Sequence, residues 1–154
     1  MNLRSLLLLA AVHAIAVAPS LRADDSAKLS KLPPAAAEAL KKAAGSATID
    51  KVSVEKDGKV TVYEADLSEA GKPNREVSVT ADGKIVVEEE TVPLEKVPEA
   101  ARKAIEAGAK GAKIERVNRM KRASGVTYEA LYVTKGKKTE VEYLEDGKLK
   151  PEEK

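Results

Sequence analysis

The apolar positions of this chain recur with two different periods. The first is a stripe at helical spacing, formed by Ala36, Ala39, Leu40 and Ala43. It predicts a helix with one buried side. From residue 47 onward the apolar positions recur at about every second residue, which predicts strands with one buried face. A helix followed by consecutive hairpin-linked strands indicates the α+β class.

The same order of elements occurs twice along the chain. Residues 32–40 align with 97–105 at a shift of 65 positions, and residues 63–65 align with 128–130 at the same shift. After one deletion the alignment continues at a shift of 64. A register that holds over this length indicates a duplicated unit.

Each unit is predicted to be a short N-terminal helix packed on a four-stranded antiparallel sheet. Pro33 and Pro98 lie where the first turn of a helix accepts proline. The strands of the first unit are predicted over 47–56, 59–67, 75–81 and 84–89, and those of the second over 112–121, 126–134, 138–144 and 148–150. The two sheets could merge side by side or pack back to back, and the sequence leaves that choice open.

A hairpin loop at Asp57-Gly58 would fix the strand register. Counting back from this loop, and applying the shift of 65, predicts four cross-strand pairs: Val52 with Tyr63, Lys51 with Glu64, Val117 with Tyr128, and Arg116 with Glu129. Each unit would then have an apolar pair on one face and a base–acid pair on the other.

The alternation also assigns the two faces of the sheet. The side chains predicted to face the helices are Tyr63, Ala65, Leu67, Val77 and Val79, with Tyr128, Ala130, Tyr132, Val141 and Tyr143 as their counterparts. The opposite face is predicted to remain uncovered and to carry Glu64, Glu76, Glu129, Glu140 and Glu142. We interpret these five glutamates as the candidate partner-binding face, and an ordinary solvated face is the alternative.

The start of the chain has the layout of a secretory signal peptide. Arg4 supplies a short positive region, and residues 6–17 form an apolar run that only His13 interrupts. We predict cleavage after Ala23 and a periplasmic or secreted product. Cleavage after Ala18 and an uncleaved N-terminal anchor are the alternatives. The predicted organisation is therefore a signal peptide at 1–23, a first unit at 24–90 and a second unit at 91–154.

Removal of the leader changes the charge of the chain. The leader holds Arg4 and Arg22, two of the 27 basic residues, and none of the 25 acidic ones, so the remainder has a formal net charge of zero. Nucleic-acid binding needs a surplus of basic residues, so we predict no nucleic-acid partner. We also predict no stable membrane span once the leader is removed.

The reactive side chains are few. The chain has no cysteine, and its one histidine is His13 of the leader. Catalytic triads, thiol nucleophiles and most transition-metal sites are thereby excluded from the mature part. We predict no catalytic residues, no cofactor and no metal site, and we predict that the protein is not an enzyme.

Four short motifs resemble the PepSY-like domains. They are Leu-Pro-x-Ala-x-x-Ala-Leu from Leu32, Ala-Thr-Ile-x-x-Val from Ala47, Val-Tyr-Glu-Ala from Val62, and Asp-Gly-Lys-Ile from Asp82. These domains are grouped with the β-lactamase-inhibitor-protein-like fold. The resemblance implies a helix on a four-stranded antiparallel sheet, export, and binding without catalysis, with a peptidase as the target commonly proposed for such domains.

One departure bears on the target. β-Lactamase inhibitors present an aromatic-rich sheet, whereas this chain has no Phe or Trp and its tyrosines are predicted on the covered face. This difference argues against β-lactamase as the target. The predicted function is thus an exported, non-catalytic, PepSY-like protein that binds another exported protein and inhibits or restrains a peptidase. The alternative is an envelope sensor of a small ligand or cation that uses the acidic sheet face.

Overall fold

The computed structural model describes residues 28–57 and 60–151, which form two helices and seven strands. The helices are α1 (Pro34–Ala44) and α2 (Glu99–Ala109), and a short 3-10 turn at Leu94–Lys96 precedes α2. The strands are β1 (Thr48–Asp57), β2 (Val60–Ser68), β3 (Arg75–Thr80), β4 (Ile85–Thr91), β5 (Lys113–Arg122), β6 (Gly125–Thr134) and β7 (Lys137–Leu144). The predicted leader and its cleavage site lie outside the described residues.

All seven strands belong to one antiparallel sheet, in the order in which they occur along the chain. The prediction of two units, each with its own four-stranded sheet, is therefore wrong. The two parts of the chain are joined because β4 continues to Thr91 and pairs with β5, from Glu88 opposite Lys121 to Thr91 opposite Asn118.

The eighth predicted strand, at residues 148–150, does not form. Leu149 makes only an isolated bridge to Tyr143, and the backbone N–H of Lys150 donates to the carbonyl of Glu142. Pro151 follows immediately, and proline has no N–H to extend the ladder. The second part of the chain therefore contributes three strands to the sheet, where the first contributes four.

Each helix covers its own region of the same sheet face. Under α1, Leu40, Ile49, Leu67, Val77 and Val79 form the first apolar core, and all five are at most 2% exposed. Under α2, the second core is formed by Val97, Ala101, Ile105, Val117, Tyr128, Ala130, Tyr132 and Tyr143. The predicted assignment of faces is confirmed, because strand alternation alone decides which side chains point toward the helices.

The predicted register within the two hairpins is wrong by two residues. Asp57 pairs with Val60, so the loop begins one residue later than predicted. The observed pairs are Val52 with Ala65, Ser53 with Glu64, Val117 with Ala130, and Asn118 with Glu129. A slip of two residues leaves every side chain on its predicted face but changes its cross-strand partner.

Both helices start directly after a proline and are held by a turn of the sheet. Pro33 and Pro98 occupy the positions before the first helical residue. The turn residue Gly83 packs against α1 so closely that an added Cβ would lie 2.7 Å from the carbonyl oxygen of Ala35. Gly147 meets Ala100 of α2 at the same distance. Only glycine permits this approach together with the positive φ at both turns.

The second core contains a close contact that the first core lacks. The Tyr132 hydroxyl donates to the carbonyl of Ile105 at 2.8 Å and lies 3.0 Å from the Tyr143 hydroxyl. Both hydroxyls lie against Gly108 of α2, where an added Cβ would overlap the hydroxyl of Tyr143. In the internal alignment, Ala43 of α1 and Leu67 of β2 occupy the places of Gly108 and Tyr132. Compared with the first core, the second core has a smaller helix residue (Gly108 in place of Ala43) and a larger strand residue (Tyr132 in place of Leu67).

The junction between β4 and β5 is polar on both sides of the sheet. On the helix side, Glu88 pairs with Lys121 at 3.2 Å and Glu90 pairs with Arg119 at 2.7 Å. On the other side lies Asn118, which is 2% exposed. The two apolar cores have no residue in common, so the junction separates them within one continuous sheet. Neither helix of the described part has the length and apolarity needed to cross a membrane.

Candidate binding face

The sheet face turned away from both helices is rich in carboxylates, and we call it the acidic face. They include Glu55, Glu64, Asp66, Glu76, Glu89, Glu129, Glu140 and Glu142. The five glutamates predicted from the sequence all lie on this face. Glu55, Asp66 and Glu89 were missed, although the same alternation that placed Glu76 also places them there.

Several carboxylates of the acidic face lie opposite one another, although Asp66 also has Lys51 of β1 opposite it on its other side. Glu76 on β3 is flanked by Asp66 on β2 and by Glu89 on β4. In the neighbouring row of cross-strand pairs, Glu129 on β6 lies opposite Glu142 on β7. Like charges directly opposite each other in a sheet are unfavourable. The predicted base–acid pairs of Glu64 and Glu129 are wrong, because the shifted register places Ser53 and Asn118 there.

Glu76 has the most strongly perturbed carboxyl of the acidic face. Its burial, followed by the nearby charges of Glu89, Glu64 and Asp66, raises the pKa of Glu76 to about 8. Desolvation and like charges both disfavour the ionised form. A large fraction of Glu76 is therefore protonated at neutral pH.

Glu129 and Glu89 are shifted in the same direction. Burial, followed by the charges of Glu140, Glu89 and Glu142, raises the pKa of Glu129 to about 7 despite the opposing charge of Arg116. Burial also raises the pKa of Glu89, and the nearby carboxylates add to this effect while Arg116 opposes it. The ionised forms of the carboxyl groups at the centre of the acidic face are therefore poorly stabilised by their surroundings.

Glu142 is the carboxylate whose charge is well compensated. Burial alone would raise its pKa, but the hydrogen bond from Thr127 and the charge of Arg122 outweigh burial, so the pKa of Glu142 lies below its usual value. The Arg122 guanidinium lies 2.5 Å from one carboxylate oxygen, and the Lys150 ammonium lies 3.2 Å from the other. Glu142 is thus held by internal ion pairs.

Glu64 is held by neutral donors. The hydroxyls of Ser53 and Ser78 donate to its two carboxylate oxygens at 3.3 and 3.2 Å. Glu140, by contrast, is exposed and lies opposite Leu131. The five predicted glutamates therefore share one face but differ in their surroundings.

Uncharged side chains lie buried among these carboxylates. They are Val62, Ser78, Asn118, Met120, Thr127 and Leu131. No described helix or strand packs on this face, so their burial comes from the twist of the sheet and from neighbouring side chains. Asn118 donates to Glu89 and accepts from the Thr91 hydroxyl at 3.0 Å, which links β4 to β5.

A cleft of about 600 Å³ opens where the acidic face reaches one end of the sheet. It is lined by Asp50, Asp66, Leu67, Asn74, Arg75, Glu76, Glu89, Thr91, Glu115 and Arg116. Asp50 and Glu115 lie at equivalent bulges, where the registers of β1 and β5 shift. Five of the ten lining residues are acidic, so the cleft continues the charge of the acidic face.

One group of carboxylates lies close enough together to hold a cation. Oxygens of Glu64, Asp66 and Glu76 lie within 4.8 Å of one another. Carboxylate oxygens are the ligands that Ca²⁺ and Mg²⁺ prefer. Glu129, which is predicted to share the binding face with Glu64, does not belong to this group.

The chain shares its fold with several solved structures. A proposed periplasmic protein from Bacteroides eggerthii superposes with a TM-score of 0.61 at 20% identity, over 77% of this chain and 85% of that one. A BLIP-like protein from Bacteroides fragilis gives 0.56 at 23% identity, over 79% and 85%. A DUF2874 family protein from Bacteroides uniformis gives 0.59 at 20% identity, over 76% and 85%.

These identities are low, and the likeness shows the fold alone. The chain therefore has a BLIP-like fold. No protein-family model matches the chain, and no curated protein matches it.

Proposed function

We propose that this protein is an exported, non-catalytic binding protein whose acidic face docks a basic surface of another exported protein. One observation carries the proposal: Asp66, Glu76 and Glu89 face one another across three strands without a base between them. A face that served only solubility would gain stability from interspersed bases. A lysine or arginine of a partner would supply the missing positive charge.

Export and the absence of catalysis belong to the same proposal. The leader-like start of the chain supports export, and so does the proposed periplasmic location of the B. eggerthii neighbour. The absence of cysteine, and of histidine beyond the leader, supports binding without catalysis. The resemblance to PepSY-like domains favours a peptidase as the partner, and inhibition as the outcome.

The test is a capture experiment with residues 24–154 immobilised and an extract of exported proteins applied. A triple variant, Glu76→Gln/Glu89→Gln/Glu129→Gln, removes three ionisable carboxyl groups from the acidic face. The matched control, Glu38→Gln/Glu95→Gln/Glu106→Gln, removes three exposed charges from the helix side of the molecule. We expect the unchanged chain and the control to retain a partner that the triple variant loses, with retention falling as salt rises.

The inhibitory function needs a separate measurement. Peptidase activity of the captured partner, assayed with and without residues 24–154, should fall in the presence of the chain. Capture without inhibition would keep the binding proposal and reject the inhibitory one. If no partner is retained, or if the triple variant retains the same partner as the control, the docking role of the acidic face is contradicted.

The second candidate function is a cation sensor in the cell envelope. The observation that favours it is the group formed by Glu64, Asp66 and Glu76. Calorimetric titration with Ca²⁺ and with Mg²⁺ should then give heat that a Glu64→Gln/Glu76→Gln variant loses and a Glu129→Gln/Glu140→Gln variant keeps. Titrations without heat would remove this candidate.

A further inference from the structure

The outer edge of β1 differs from the other edge of the sheet. β1 is the first strand of the sheet and, within the described residues, it pairs only with β2. The opposite edge strand, β7, is partly covered, since Leu149 and the backbone of Lys150 bond to it. The Lys28 ammonium donates to the carbonyl of Ile49 near the start of β1 at 2.6 Å, outside residues 51–55. A long edge with which no described strand pairs is a template for a further strand.

The pairing of β5 with β4 shows which kind of strand can pair with an edge like that of β1. β5 is the equivalent of β1 at the shift of 65, and β5 has an antiparallel neighbour, β4, on the edge that β1 leaves open. The β4–β5 pairing is accompanied by the ion pairs Glu88–Lys121 and Glu90–Arg119. At β5, the edge that corresponds to the open edge of β1 is therefore occupied by an antiparallel strand of the same chain, with ion pairs between the two strands.

The side chains of β1 are complementary to those of a second, antiparallel copy of β1. If two copies of β1 run antiparallel with Ser53 opposite Ser53, then Lys51 lies opposite Glu55 and Val52 opposite Val54. The twofold axis repeats both pairs, which gives two base–acid contacts on one face and two valine contacts on the other. Pairing about Val54 would instead place Val52 opposite Lys56.

The present surroundings of these residues agree with that pairing. Val54 is 60% exposed, although it lies on the sheet face that carries the apolar cores. Lys51 and Glu55 are both exposed. Lys51 lies opposite Asp66 of β2, but neither Lys51 nor Glu55 forms an ion pair among the described residues. The bulge at Asp50 lies outside the five rungs from Lys51 to Glu55, so these rungs have regular geometry.

We propose that β1 pairs with β1 of a second copy of this chain, antiparallel and with Ser53 at the twofold axis. The two seven-stranded sheets then become one sheet of fourteen strands, with both acidic faces on the same side. Five rungs bury less surface than a permanent interface does. The dimer therefore forms and dissociates with concentration.

Sedimentation velocity of residues 24–154 over a range of concentrations tests the proposal. We expect a reversible monomer–dimer equilibrium. Lys51→Glu and Glu55→Lys each place like charges opposite each other at two sites, and each should weaken the dimer roughly tenfold. The double variant Lys51→Glu/Glu55→Lys exchanges the two charges and should restore the affinity. Lys41→Glu, an equal charge change on α1, should leave the equilibrium unchanged.

A cross-link provides a second measurement. Because the chain has no cysteine, Ser53→Cys introduces a single thiol. In the proposed register the two thiols face each other within disulfide distance, and mild oxidation should give a covalent dimer. Lys56→Cys is the control, because its two copies lie roughly 20 Å apart along the paired strands.

Three results would overturn the proposal. The first is a chain that stays monomeric at every concentration. The second is a dimer that neither single charge reversal weakens, or that the double variant fails to restore. The third is a Ser53→Cys chain that cross-links no faster than the Lys56→Cys control. Circular dichroism of each variant confirms that the fold persists.

Discussion

At the scale of single residues, the acidic face lowers the stability of the fold. Glu76 shows this most clearly, because its pKa of about 8 in the folded chain lies far above the ordinary value of 4.5. Between these two values the folded chain holds a proton that the unfolded chain has released. The free energy of unfolding therefore falls as the pH rises from about 4.5 to about 8, which is the sign expected when the folded state binds more protons.

Replacement of Glu76 by glutamine should remove this cost. At pH 8 we expect Glu76→Gln to raise the free energy of unfolding by about 1–2 kcal/mol, after allowance for solvent screening. At about pH 3 the change should have little effect, because the carboxyl is then almost entirely neutral in both states. Urea denaturation at the two pH values measures the difference. Glu38→Gln, on the exposed side of α1, is the matched control.

Which residues share the acidic face could be predicted from the sequence, but how they interact could not. Alternation placed Glu64, Glu76 and Glu129 correctly, since a strand leaves only two choices of face. Their partners depend on where the hairpin loop begins, and a difference of one residue at Asp57 exchanged Lys51 for Ser53 opposite Glu64. The clustering of acids therefore emerged only from the observed register.

At the scale of elements, each helix is fitted to its own part of the sheet by glycine. Gly108 allows α2 to approach Tyr132 and Tyr143, whose hydroxyls occupy the space that a methyl group would need. Alanine is normally the better helix former by about 1 kcal/mol. Here the steric conflict should reverse that preference.

We expect Gly108→Ala to lower the free energy of unfolding by roughly 1–3 kcal/mol, as overpacked cores usually do. Combining it with Tyr143→Phe removes the hydroxyl that the new methyl group would overlap, so the double variant should lose less than the two single effects added together. Urea denaturation of the four chains completes the cycle. Strictly additive effects would contradict this account of the contact.

The turn glycines provide a second test at this scale. Gly83 and Gly71 have similar φ angles of 81° and 76°, but only Gly83 has a neighbour within reach of an added Cβ. Both alanine variants suffer the backbone strain of a positive φ, roughly 1 kcal/mol or more. Gly83→Ala should lose additional stability because the Ala35 carbonyl oxygen lies in the way. Thermal denaturation of both variants should therefore give the lower midpoint for Gly83→Ala.

Both helices and the first seven strands could be predicted because each depends on local pattern. The eighth strand could not, because Lys148-Leu149 resembles Lys84-Ile85 at the start of β4 while Pro151 ends its pairing. The resemblance of the two units hid this difference, since an alignment compares side chains and does not count backbone hydrogen-bond donors.

At the scale of the whole molecule, one sheet holds two separate cores. The sequence left open whether the units merge or stack, and the merger depends on Asn118 and the ion pairs between β4 and β5. None of these residues belongs to either apolar core. A pattern of hydrophobic positions carries no signal for a polar junction, so this feature could not be predicted from it.

Because the two cores are separate, we expect a destabilising substitution in one core to have a smaller effect on the local stability of the other. Leu40→Ala and Ile105→Ala should each cost roughly 2–5 kcal/mol, because each truncates a fully buried side chain. Hydrogen exchange followed by mass spectrometry should show faster exchange in α1, β1 and β2 for Leu40→Ala. It should show faster exchange in α2, β6 and β7 for Ile105→Ala. Equal acceleration throughout the sheet would contradict separate cores.

The pairing of a small helix residue with a large strand residue in the second core, and the reverse in the first core, affects which helix can pack on which strands during folding. If α1 settled over β6, Ala43 would meet Tyr132 where that tyrosine requires a glycine beside it. If α2 settled over β2, Gly108 would leave a void above Leu67. When two segments of one chain have similar sequences, they can trade places during folding or between neighbouring chains. In this molecule the difference of one methyl group and one aromatic ring penalises both wrong arrangements.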